Sequence, residues 1–207
     1  MESYSTEEQQ VEAIKQFWKE NGTSIILGAV IGLGGLWGWR YYNDQRIEAQ
    51  ETASIQYEQT VESLSQNEQG FTSALTYLEQ NKDNNYAMLL AFQLAQEAVS
   101  RDDLNEAAKQ LSFVVNSTDV PAIAALANIR LARVHIQQAA YEQAMSALDA
   151  VGQESFNAQV QELRGDIHAS QGNLDKARAA YSAALEDNAG NNLLKMKLDN
   201  LIAKASA

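Results

Sequence analysis

Histidine occurs at only two places, His135 and His168, and cysteine does not occur at all. That inventory excludes disulfides, thiolate metal centres, a cysteine nucleophile and a lipid-modified cysteine. A metal held by the two imidazoles would need a third ligand converging on them, and no carboxylate stands at ligand spacing around either. The paired acids Asp102-Asp103 and Glu186-Asp187 have the chemistry for general acid and base work, but they fall at turns or helix ends, where solvated carboxylates are the ordinary outcome. The run Gly32-Leu-Gly34-Gly35-Leu-Trp37 falls short of a dinucleotide fingerprint, because its sixth residue is Trp and no strand precedes it. No serine elbow, lysine-bearing phosphate loop or zinc-protease motif is present. The expectation is a non-enzyme with no catalytic residue, no cofactor and no metal, acting through its surfaces.

What positions those surfaces is first of all a membrane. No charged residue lies between Glu20 and Arg40, and Ser24 to Trp39 is almost wholly apolar. With Tyr41 and Tyr42 included, a rise of ~1.5 Å per residue brings the segment close to the ~30 Å of hydrocarbon in a bilayer. A cleaved signal peptide would need a basic leader, whereas residues 1–20 hold five Glu against Lys15 and Lys19. Trp37, Trp39, Arg40, Tyr41 and Tyr42 at its exit are too bulky for a peptidase site and suit an interfacial belt, with Phe17 and Trp18 marking the other boundary. The expected division is a short segment over 1–21, a transmembrane helix over 22–42 and one domain over 43–207. Lys15 and Lys19 balance Arg40 and Arg46, so charge alone leaves the orientation open. Gly28, Gly32, Gly34 and Gly38 put small surfaces on successive turns, where another membrane helix could approach closely.

After the anchor, proline appears once, at Pro121, and apolar residues recur at three- and four-residue spacing. The fold class is all-α. Turn signals at 67–70, 82–85, 101–103, 116–120, 138–140, 151–155, 171–173 and 188–192 cut the domain into short hairpins. Leu163 to Leu185 is the most regular unit, and its Gly165, Gly172, Ala177, Tyr181 and Ala184 resemble a tetratricopeptide repeat. The resemblance implies that Gly165 stands where two helices cross, Gly172 turns the chain, Ala177 and Ala184 admit a neighbouring helix, and Tyr181 fills the space between pairs. A second copy places Ala132, Tyr141, Ala144, Leu148 and Val151 at matching positions, and a third places Ala95, Leu104, Ala107, Leu111 and Val114. The intervals from Ala107 to Ala144 and from Ala144 to Ala177 lie close to the ~34-residue period of that family. Ala91, Asn128 and Gln161 replace the large aromatic that usually opens the first helix, and the closing proline is absent. The expected architecture is an α-solenoid of three to four helical hairpins, with 44–66 running on from the membrane as the first layer. The helix 192–204 should cap the exposed end.

In such a stack the first helices of each pair line an inner face that meets a peptide or a partner helix. By register that stripe comprises Leu89, Phe92, Gln96 and Val99, then Leu126, Ile129, Arg133 and Ile136. Only Arg130 and Arg133 are cationic there, which disfavours capture of a terminal carboxylate on this face. His135 and His168 occupy equivalent places in successive repeats, and equivalence points to packing. The formal charge of -12 disfavours nucleic acid, since an acidic face repels phosphates.

Four strings in order, Gln10-Val-Glu-Ala-Ile-Lys15-Gln-Phe-Trp18-Lys-Glu-Asn21-Gly22, Gly38-Trp39-Arg40-Tyr41-Tyr42-Asn43, Asn128-Ile-Arg-Leu-Ala-Arg133-Val and Leu194-Lys-Met-Lys197-Leu-Asp-Asn-Leu201, are similar to the YfgM family nearly end to end. The resemblance implies a bacterial inner-membrane protein with residues 1–21 in the cytoplasm and the repeat domain in the periplasm. It implies an ancillary subunit of the SecYEG translocon that associates with a PpiD-like membrane-anchored periplasmic chaperone. Two readings remain open: a scaffold joining that chaperone to the exit site, and a holdase covering unfolded polypeptide clients in its own groove. A cytosol-facing adaptor rests on the tied charge count alone.

Overall fold

A computed structural model describes residues 7–84 and 86–205, and side-chain surroundings for 9–84 and 86–201. Residues 1–6 of the expected leader and Asn85 of the expected turn lie outside the described residues. Among the described residues every regular element is helical: α1 (Glu7–Leu64), α2 (Glu68–Gln80), α3 (Ala87–Ser100), α4 (Leu104–Ser117), α5 (Pro121–Gln137), α6 (Tyr141–Asp149), α7 (Asn157–Ser170), α8 (Leu174–Asp187) and α9 (Asn192–Ala205), with one 3₁₀ turn at Glu154–Phe156. The chain divides into two compact units, Met1–Ser54 and Ile55–Ala207.

The first unit is helix throughout its described length and includes a stretch long and apolar enough, by length and composition, to cross a membrane. Ile26, Val30, Leu33, Leu36 and Trp37 are all exposed. A helix apolar on every side makes sense in lipid, where its backbone groups are satisfied internally. A methyl added at Gly28, Gly32, Gly34 or Gly38 would touch nothing within 4 Å, so these positions form open shallow surfaces.

The second unit is built from consecutive antiparallel neighbours: α3 packs on α4, α4 on α5, α5 on α6, α7 on α8 and α8 on α9. Three full hairpins, α3/α4, α5/α6 and α7/α8, follow a degenerate pair made by the last turns of α1 and α2, and α9 closes the end. The repeat is written in the turns. Asp102, Ala139 and Gly172 have φ of 62°, 56° and 77°, and each is followed by an amide that returns to the carbonyl five residues earlier: Asp103 to Ala98, Ala140 to His135 and Asn173 to His168, all at 2.8 Å. This is the left-handed helix stop, used at one position in three successive repeats. Only the last copy has the glycine that takes that conformation without steric penalty.

Small residues sit where helices cross, as the spacing predicts. Ala107, Ala144, Ala177 and Ala184 are fully buried. A Cβ on Gly165 would overlap the ring of Tyr181. Gly70 differs from its expected place in a turn: it lies inside α2, where a Cβ would overlap the backbone carbonyl of Ser63. The turn is closed instead by Asn67, whose side chain accepts from Gly70 N at 2.8 Å, an N-cap.

Arg101 joins the first layers. Its guanidinium donates to Glu97 Oε1 at 2.8 Å and to Glu68 Oε2 at 2.5 Å, reaches the Asn67 carbonyl at 3.3 Å, and lies 4.7 Å over the Phe71 ring. One arginine at the end of α3 thereby holds the connection between α1 and α2.

Candidate functional site

Between α3 and α5 the stack opens into a cleft of about 370 Å³, with Leu111 of α4 as part of its wall. Its other lining residues are Phe92, Ala95, Gln96 and Val99 from α3 and Arg130, Arg133, Val134 and Gln137 from α5. By contrast α5 and α7 pack directly against each other. The cleft's apolar walls follow from helix phase: Ala87, Leu90, Ala91, Leu94, Ala95 and Ala98 are the buried stripe of α3, which leaves Leu89, Phe92, Gln96 and Val99 on the adjoining face.

Four of the eight stripe residues meet in this cleft: Phe92, Gln96, Val99 and Arg133. Leu89 is 50% exposed but lies outside it. Leu126 is half-buried, and Ile136 packs against the core. Ile129 is a correction. It is 1% exposed, on the buried stripe with Ala125 and Ala132, and it belongs to the core. The outward stripe of α5 keeps the expected Arg133 and adds Arg130 and Gln137, each one residue on from the expected Ile129 and Ile136.

Arg130 is central to the geometry. Its guanidinium carbon lies 4.8 Å over the Phe92 ring, a contact that presents a cation on an aromatic face and makes the cleft amphipathic. No ion pair holds Arg130 or Arg133 among the described residues, although the chain is acidic overall. The arrangement offers donors and apolar area but no nucleophile or acid-base pair, so its capacity is for binding.

The histidines separate on inspection. His135 Nδ1 lies 3.0 Å from Gln138 Oε1, and Gln138 donates to Asn105 Oδ1 at 3.1 Å, tying the end of α5 to α4. His168 Nδ1 is buried with no hydrogen-bond partner among the described residues. Equivalent in sequence, they differ in surroundings. No group of three or more metal-ligating side chains forms among the described residues.

Sequence reasoning missed a charged cluster at the far end. Lys197 of α9 places Nζ 2.7 Å from Glu162 Oε1 and 2.8 Å from both oxygens of Asp166, and Tyr181 Oη donates to Asp166 Oδ1 at 2.7 Å. Burial, then the hydrogen bond to Asp166 and its charge, raise the Tyr181 phenol well above its usual value. For Lys197 burial works downward, but its hydrogen bonds to Asp166 and Glu162 outweigh it and the ammonium is held above its usual value.

The model of a tetratricopeptide repeat-like domain family matches residues 15–203. The chain is 34% identical over 204 residues to a protein of Escherichia coli (strain K12) named ancillary SecYEG translocon subunit, covering 97% of this chain and 99% of that one. A protein of the same name from Haemophilus influenzae is 31% identical over 94% of this chain and 97% of its own. Another from Neisseria gonorrhoeae is 28% identical over 97% and 100%.

Proposed function

We propose a function on the premise that this chain belongs to the tetratricopeptide repeat-like family of ancillary SecYEG translocon subunits: it is a non-enzymatic, membrane-anchored scaffold at the translocon. The observation that carries this is the end-to-end match to relatives of that name, spanning the apolar helix and the repeats together. In this reading residues 22–42 are the anchor, 1–21 face the cytoplasm and 43–207 stand in the periplasm. The α3–α5 cleft holds a PpiD-like chaperone and so brings it to newly translocated chains. Phe92 and Val99 offer apolar area while Arg130 and Arg133 orient an acidic or carbonyl-rich segment.

Recovery of the tagged protein under native detergent tests the scaffold. Translocon and chaperone in stoichiometric amounts are expected, and recovery without translocon overturns the reading. Many polypeptides at low occupancy would instead favour a holdase, the second reading, which the apolar walls of the cleft support. Arg133→Glu assigns the cleft: Arg133 is exposed, so the fold should persist while chaperone recovery falls by about tenfold, the scale of a lost charge-assisted contact. Unchanged recovery removes the cleft from the account. For topology, a Ser206→Cys variant, altered outside the described residues, should label from outside spheroplasts.

A further inference from the structure

Aligning the repeats on their left-handed turn residues, Asp102, Ala139 and Gly172, places Arg164 where Leu94 and Leu131 stand. Those leucines are buried in the apolar core. A guanidinium there forfeits apolar burial and is desolvated in part, the side chain remaining 30% exposed. Arg164 reaches Asp149 Oδ1 at 2.6 Å through one terminal nitrogen, yet its Nε is buried with no partner among the described residues. One turn further along α7, His168 Nδ1 is in the same condition. Buried polar nitrogens are nearly always hydrogen-bonded, so two on adjacent turns of one helix face call for an explanation.

Both side chains line a recess of about 420 Å³ between α6, α7 and α8. Gln161 completes its polar side, Lys176 is exposed and in no ion pair among the described residues, and Met145 with the alanines of α8 forms the apolar side. No carboxylate lines it among the described residues, in a chain of charge -12. It shares no residue with the α3–α5 cleft.

We propose that this recess receives a glutamate side chain of a partner polypeptide. Arg164 Nε and His168 Nδ1 are closed to solvent in the free chain, so the two side chains turn toward the recess as the carboxylate accepts from them, His168 Nδ1 carrying a proton in one neutral tautomer, while Lys176 draws the carboxylate to the mouth. Its methylenes lie against Met145 and the alanines, a wall for which an inorganic anion has no use. The small α8 side chains let the partner's backbone come close, as a buried charge needs. The proposal is independent of the translocon reading.

The test uses the full chain in detergent micelles and an acetylated, amidated alanine-rich helical peptide with one central glutamate, beside its glutamine twin and free glutarate. The readout is the His168 ring resonances, assigned with a His135→Asn variant. Saturable shifts with the glutamate peptide are expected at millimolar concentration, with the glutamine peptide and glutarate each at least about tenfold weaker. Arg164→Leu restores the residue type of the other repeats, so it should fold with equal or higher Tm and lose the shift. Lys176→Glu, at an exposed position, should weaken the shift severalfold even if Arg164→Leu does not fold. Equal response to the glutamine peptide, glutarate as potent as the glutamate peptide, absence of any saturable shift, or full binding by Lys176→Glu would each overturn the proposal.

Discussion

The α3–α6 repeats and the α7–α9 end are built on the same repeat but stabilised by different chemistry. In the former the inner rows are Leu90, Leu94, Ile129 and Leu131, all buried, and the helices meet through hydrocarbon. In the latter Val160, Leu163 and Ile167 of α7 still belong to the main core, but a smaller apolar cluster of Tyr181, Leu194 and Leu201 with Ala177 and Ala184 is joined by the Lys197–Asp166–Glu162–Tyr181 network, and Arg164 stands where the other repeats have leucine. A solenoid can vary its interfaces one by one because each layer contacts only its neighbours. The difference teaches that the middle of the stack is specified by shape, and the end by charge pairing that can respond to pH.

The comparison breaks most easily in the apolar half. Ile129→Glu buries a carboxylate without a partner and should destabilise the domain by about 3 kcal/mol or more. Urea denaturation followed by circular dichroism measures it, and a loss as small as that of a surface change would mean that the inner row is not a core. At the charged end, Lys197→Met should be smaller, about 1–3 kcal/mol, because the partners it leaves are only partly buried. The pH dependence sharpens it. Both Lys197 and Tyr181 are raised in the folded state, so their contribution is complete below the unfolded values near pH 10 and is lost as pH climbs through the folded ones. The Tm of the native chain should therefore fall more steeply above about pH 10 than that of a Lys197→Met, Tyr181→Phe double variant. Parallel curves would remove the network as the cause. Least in size, Ala139→Gly relieves a left-handed residue in the middle repeat and should stabilise by about 0.5–1 kcal/mol, read as a small rise in Tm.

Much of this was legible in the sequence. Ala107, Ala144 and Ala177 return at a steady interval, and helix crossings leave no room for larger side chains, so both the period and the hairpins could be read from them. The phase of α5 could not. Ile123, Ile129, Leu131, Val134 and Ile136 are apolar on more than one face, and with no clean polar side the outward stripe was placed one residue early, on Ile129 instead of Arg130. The Lys197 network had no local signal at all, because its partners lie 31 to 35 residues away and ion pairs between helices follow no spacing rule. Arg164 was visible in principle: stacking the repeats on their turn residues sets it under two leucines.

Arg101 has a mechanical consequence. Its bonds to Glu68 and Asn67 bridge the α1–α2 junction to the end of α3, while its bond to Glu97 holds the guanidinium in place. Tension that reaches the last turn of α1 is therefore shared with the second layer instead of falling on the α1–α2 turn alone.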